Sequence, residues 1–94
     1  MIASNIITRE ERREGGLHYT YELIRSEGKR TADWGLSLYS IRISMTDNSG
    51  NKTQKEVKDI FADEGRAHKF FEKLVRNLAT PIDLGYVVED ELIN

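Results

Sequence analysis

Glu64, His68 and Glu72 stand at i, i+4 and i+8, a spacing that sets two carboxylates and an imidazole on one side of a helix. These are groups that bind a divalent metal. A catalytic zinc, however, needs three ligands each oriented by further hydrogen bonds, and Glu and His at helical spacing on a charged helix form a solvated ladder. No metal is expected there. His18, the other histidine, falls in a stretch where it points away from Tyr19 and Tyr21, which makes it a surface residue rather than a base. The chain has no cysteine, so thiolate ligands, a cysteine nucleophile and disulfides are excluded. A phosphate-binding glycine loop, a nucleophile elbow, an HExxH pair and a calcium loop are all missing from the sequence. The expectation is a protein without catalytic residues and without a cofactor.

Two other sets of residues could recognise a partner. Arg66, Lys69, Lys73 and Arg76 line one flank of the same stretch and could track a phosphate backbone, which would make the protein a nucleic-acid accessory factor. Against that, Glu72 precedes Arg76 by one helical turn, a pair worth about 0.2–0.5 kcal/mol on an ordinary solvated face. Tyr19, Tyr21, Tyr39 and Trp34 could form a base-stacking platform. Their aliphatic strand neighbours favour a place in the core instead.

The element that carries the first of these sets runs from Asp63 to Ala79. Ala67, Phe70, Phe71, Leu74 and Leu78 recur there with helical spacing and form one apolar stripe. Asp63 is the expected N-cap, Glu64 suits the positive end of the dipole, and Pro81 is expected to close the helix. Thr80-Pro81-Ile82-Asp83 has the form of a capping box with Pro at the first helical position. Leu84, Val87, Val88 and Leu92 continue the helical period beyond it. Gly85 weakens this second helix, and Glu89, Asp90 and Glu91 lie at its negative end. Fraying after Glu89 is therefore expected unless basic groups meet it.

Ahead of the helices the pattern is that of strands. Ile2 to Arg13 reads as an edge strand or a short solvated helix, with the strand favoured, and Gly15-Gly16 supplies a turn. Leu17, Tyr19, Tyr21 and Leu23 alternate with polar residues, as in a half-buried strand. Ser26 to Asp33 is a polar loop. In WGLSLYSIRISM the alternation changes phase: Trp34, Leu36 and Leu38 are even, whereas Tyr39, Ile41, Ile43 and Met45 are odd. Either a β-bulge near Leu38 returns both sets to one face, or a straight strand exposes Trp34, Leu36 and Leu38, joined by Ile24, on the face away from the helices. The second case yields a partner-binding patch. Asp47 to Asn51 marks a hairpin, and Thr53 to Phe61 a fourth strand whose Lys52 and Lys58 suit a charged edge. The fold expected is α+β: a four-stranded antiparallel meander followed by two C-terminal helices packed on one face.

The 94 residues suit a single domain, and 32% charged against 38% hydrophobic residues is polar but patterned for folding. All 14 basic residues precede Thr80, and Asp83, Glu89, Asp90 and Glu91 follow it, so the net charge of −2 hides an acidic tail. No apolar run approaches the roughly 18 residues of a membrane span, and the first residues lack the pattern of a secretory signal. A cytoplasmic protein that does not engage membranes is expected.

The order YELI (Tyr21 to Ile24), WGLSL (Trp34 to Leu38), FFEKL (Phe70 to Leu74) and TPIDLGYVVED (Thr80 to Asp90) resembles a family of short uncharacterised proteins of clostridia-type bacteria, a domain of unknown function. That resemblance implies a small cytoplasmic bacterial protein and no activity. The expectation for function is a non-enzymatic protein–protein interaction or regulatory module, with self-association as one form. Nucleic-acid binding through Arg66, Lys69, Lys73 and Arg76 is the alternative.

Overall fold

The computed structural model describes residues 3–27 and 37–93. Four strands, β1 (Ala3–Glu14), β2 (Leu17–Glu27), β3 (Ser37–Thr46) and β4 (Lys52–Phe61), precede two helices, α1 (Glu64–Arg76) and α2 (Pro81–Ile93). The strands pair in chain order as an antiparallel meander, and both helices lie on one face. The chain is thus α+β, as its alternation and helical spacing indicate.

The ambiguous first segment is a strand. Its pairing with β2 slips by one residue between Ile6 and Thr8, and this bulge exchanges the two faces. Ile6 therefore lies opposite Ile24 on the face away from the helices, while Ile7 packs against the core. The β1–β2 turn uses Gly15 and Gly16 at φ 53° and 81°, the left-handed pair that a tight hairpin needs. At the β3–β4 hairpin Asp47 Oδ1 accepts the amides of Ser49 and Asn51, each at 2.9 Å. The bonds from Asn51 above all hold that carboxyl below its ordinary range.

Leu17, Tyr19, Tyr21 and Leu23 of β2 face the helices beside Tyr39, Ile41 and Ile43 of β3. The β2–β3 register is unbroken from Glu27↔Ser37 to His18↔Thr46, so β3 runs straight through Leu38 and Tyr39. The irregularity lies across from it, in β4. Tyr39 pairs with Phe61 and Ile41 with Val57, which leaves Lys58, Asp59 and Ile60 opposite Ser40 alone. Asp59 takes φ 56°, and its amide donates to Ser40 Oγ at 2.9 Å. Because this bulge adds an even number of residues, Val57 and Phe61 both still face the helices.

α1 starts as its sequence indicates, with Asp63 Oδ2 accepting the Arg66 amide at 2.9 Å. Its end differs from expectation. Leu78 is not on the helical stripe but at φ 54°, and the Ala79 and Leu78 amides bond back to Leu74 and Val75. This is a Schellman ending with leucine where glycine is usual, so α1 stops before Pro81 acts. Pro81 instead begins α2. Thr80 Oγ1 accepts the Asp83 amide at 3.2 Å and Asp83 Oδ2 accepts the Thr80 amide at 3.1 Å, a reciprocal capping box. α2 continues to Ile93 rather than fraying after Glu89. Arg66 Nη2 donates to the Glu91 carbonyl at 3.3 Å and lies 3.6 Å from its carboxylate, with Lys73 Nζ at 4.0 Å. Basic groups on α1 thus meet the unfavourable end of the dipole.

Phe70 and Phe71 are each 2% exposed. Phe70 meets Phe61 edge to face with ring centres 5.3 Å apart, while Phe71 covers the β1 side of the sheet beside Thr8, Glu10 and Arg12. Truncating either to Ala should lower unfolding free energy by about 3–5 kcal/mol, a large share of the 5–15 typical of a domain. Urea denaturation measures this, and a loss under about 1 kcal/mol for both variants would show that α1 does not organise the core.

Candidate functional site

The sequence-derived metal set does not assemble. Glu64 Oε1 accepts the Tyr39 hydroxyl at 3.1 Å and its Oε2 lies 3.7 Å from His68 Nε2, and Glu72 shares a cleft on the β1 side with His68 and also with Glu10, Arg12 and Arg76. Among the described residues no group of three or more His, Cys, Asp or Glu is placed to hold a metal ion. His18 lies on the far face, where its Nε2 is 2.7 Å from Glu11 Oε1.

The basic flank is divided between different tasks. Arg66 and Lys73 turn to Glu91, and the Arg66 guanidinium also covers the Phe61 ring at 4.9 Å. Arg76 lines the cleft toward β1, and Lys69 stands exposed. A row of free cations along one helix is therefore not what α1 presents.

Of the proposed apolar patch, Trp34 and Leu36 lie outside the described residues. Leu38 is half-buried and Ile24 only 8% exposed. Both point away from the helices, on a face dominated by charge. Arg9, Glu22, Arg42 and Glu56 stand opposite one another across all four strands, a row of alternating sign. Arg42 Nε donates to Glu22 Oε1 at 2.6 Å and its Nη1 lies 3.6 Å from Glu56. The Glu22 bond above all raises the Arg42 pKa further.

The most open apolar surface lies elsewhere, on α2. Five large apolar side chains stand exposed among the described residues, and all but Ile6 belong to this helix. Ile82, Tyr86 and Ile93 are 72%, 73% and 76% exposed, and at about 100° per residue they fall within one narrow arc. Leu84 and Val88 face the sheet, and Glu91 faces α1. The open arc therefore points away from the sheet, and Tyr86 at its crest lines a cleft toward β4 on one side and one toward Lys73, Asn77 and Ala79 on the other. The cleft toward β4 has a volume of about 480 Å³ and is lined by Thr53, Gln54 and Lys55 of β4 and by Ile82, Gly85, Tyr86 and Glu89 of α2. Sequence periodicity missed this surface by treating α2 as an ordinary one-sided helix. The signal was present: Ile82, Leu84, Tyr86, Val87, Val88, Leu92 and Ile93 go round the whole helix, a distribution that asks for more than one packing partner.

The position of α2 depends on Tyr21. Its hydroxyl donates to the Ala79 carbonyl at 2.8 Å in the interior, immediately before the capping box. Burial, reinforced by the neighbouring Tyr19, pushes the Tyr21 pKa from 10 up to about 12. Tyr39 is shifted in the same direction, by burial first and then by its bond to Glu64. For an acid whose folded pKa is raised, the folded chain holds the proton over a window in which the unfolded chain has lost it. Stability is then complete below pH 10 and falls as pH rises toward 12, by roughly 2–3 kcal/mol for Tyr21. Tyr21→Phe should cost about 1–2 kcal/mol at neutral pH, because Ala79 loses its donor, and should flatten most of the alkaline decline. Thermal melts at neutral pH and between pH 10 and 12 measure both effects; an unchanged decline would assign it to other groups.

No helix among the described residues is long and apolar enough to cross a membrane. No curated protein and no solved structure matches the chain. A family model matches residues 1–94, and the chain belongs to the family of unknown function DUF6514.

Proposed function

We propose that this protein is a small protein–protein interaction module without catalytic activity, acting through the outward flank of α2 and the neighbouring edge of β4. The carrying observation is the arc of Ile82, Tyr86 and Ile93, each almost three-quarters or more exposed on an otherwise polar chain. Burying such side chains against a partner gains about 25 cal/mol per Å², and an aromatic such as Tyr86 is the residue type that dominates interfaces. Ile24, being almost buried already, has little surface left to offer, so the far-face patch supports the reading less well. Nucleic-acid binding through Arg66, Lys69, Lys73 and Arg76 is disfavoured because Glu91 neutralises part of that flank. Trp34→Ser and Leu36→Ser test separately the patch expected from the sequence.

Ile82 and Tyr86 make little contact within the chain, so Ile82→Glu with Tyr86→Glu should leave the melting temperature within a few degrees of the parent. The same pair should remove association, either with itself or with a partner identified from cells by mass spectrometry. Association that survives both glutamates, or that is salt-sensitive binding to an oligonucleotide, would overturn this reading.

A further inference from the structure

The cleft at the β4 edge places the last strand of the described sheet and an apolar helix flank side by side, and we infer that its occupant is a second copy of this chain. The two copies join β4 to β4 antiparallel about a two-fold axis at Gln54. This rests on the interaction reading above and names its partner.

Symmetry and charge together select the register. An antiparallel pair of identical strands related by a two-fold axis places each residue opposite another that faces the same side, so the axis passes through a residue. On the regular part of β4 the candidates are Gln54, Lys55 and Glu56. An axis at Lys55 sets Lys52 against Lys58, and one at Glu56 sets that carboxylate against its own copy. An axis at Gln54 sets Lys52 against Glu56 in both directions and Gln54 against Gln54. Of these three registers only this one pairs opposite charges; an axis at Val57 would set Glu56 against Lys58 but would run the pairing into the bulge at Lys58, Asp59 and Ile60. The Gln54 register also prolongs the row Arg9, Glu22, Arg42, Glu56 with a lysine from the second copy, on the same face and with the same alternation of sign.

The helix layer fits the same axis. Packed helices lie about 10 Å apart and strands about 4.8 Å apart, so a helix covers two strands. α2 lies over β4 and β3, and the next helical place is therefore over β4 and β3 of the second copy, where its α2 would lie. The residues of β4 that line the cleft are Thr53, Gln54 and Lys55, centred on the axis that charge selects. Ile82, Gly85 and Tyr86 of the two copies then meet above it, with Lys55 and Glu89 of each copy in the same cleft. A Cβ on Gly85 would meet nothing within 4 Å inside the chain, so the monomer does not require glycine there. A helix approaching from a second copy does make use of it.

Sedimentation velocity over a range of concentrations should show a monomer–dimer equilibrium, and amide exchange should show residues 52–57 protected more strongly in the dimer. Lys52→Glu turns two attractive contacts into two repulsive ones and should weaken the dimer about tenfold or more. Combining it with Glu56→Lys reverses both members of each contact and should restore affinity. Gly85→Glu should abolish the dimer while the monomer's melting temperature changes little, which separates loss of contact from loss of fold. Lack of rescue in the double reversal, or β4 amides indifferent to dimerisation, would overturn the register and the strand pairing. A monomer at every concentration that still binds another protein through Ile82 and Tyr86 would overturn the second copy as occupant and leave the interaction reading standing; absence of any association through these residues would remove both.

Discussion

The bond from Tyr21 to Ala79 joins the middle of the sheet to the turn at which α1 ends and α2 begins. Ala79 closes the Schellman ending of α1 through its amide, gives its carbonyl to Tyr21, and precedes the capping box that starts α2. Its backbone is thus fixed from three sides. A buried carbonyl without a donor would cost about 1–3 kcal/mol, so this corner has one satisfied arrangement on the sheet. Leu78, held at φ 54° beside it, accepts a conformation that an L side chain disfavours by about 1–2 kcal/mol. What offsets that cost is the reversal itself, which lays α2 along β4 instead of continuing α1 into solvent.

From that corner the remaining contacts follow as complements. α2 runs back until Glu91 reaches Arg66 and Lys73 on α1's exposed flank. Each such pair is partly exposed and contributes at most about 1 kcal/mol. Their larger effect is on the helix terminus, where three consecutive carboxylates would otherwise oppose the dipole. Cations that look like a phosphate-binding stripe in the sequence are therefore employed inside the fold. On the other side of the sheet, Glu22 and Arg42 settle strand register in a similar way, since a one-residue slip would bring each to the wrong face.

Legibility in the sequence tracked how local the determining forces are. The Gly15-Gly16 and Asp47–Asn51 turns, the Asp63 cap and the Thr80–Asp83 box depend on a few adjacent residues, and each forms as its chemistry requires. The odd-numbered apolar set of β2 and β3 was equally readable, because alternation follows directly from the pleat. Both bulges escaped. In β1 the extra residue changes parity, so that Ile6 lies opposite Ile24 on the far face while Thr8, two positions on, lies opposite Leu23 on the helix face; in β4 Asp59 is held by Ser40, a residue 19 positions away. The end of α1 was misjudged because Leu78 continues the apolar period and yet serves in a turn, a tertiary choice that periodicity does not contain. Glu91 likewise finds Arg66 only after the chain has reversed.

The same distinction explains why the candidate site was not visible as a motif. Neither β4 nor α2 carries a residue set with chemistry of its own; the cleft exists because the Tyr21–Ala79 corner sets Ile82 and Tyr86 beside the last strand. For an isolated chain this arrangement is costly. Gly85 gives up about 1 kcal/mol of helix propensity relative to alanine, and the outward apolar side chains contribute nothing to the core while they remain in water. A chain of 94 residues has a limited interior from which to recover such losses. A neighbour over the outward flank converts both features to advantage, since glycine permits close approach and the side chains around it leave water together. β4 is the last strand of the sheet among the described residues, and the backbone groups of its outer edge would pair in the same step.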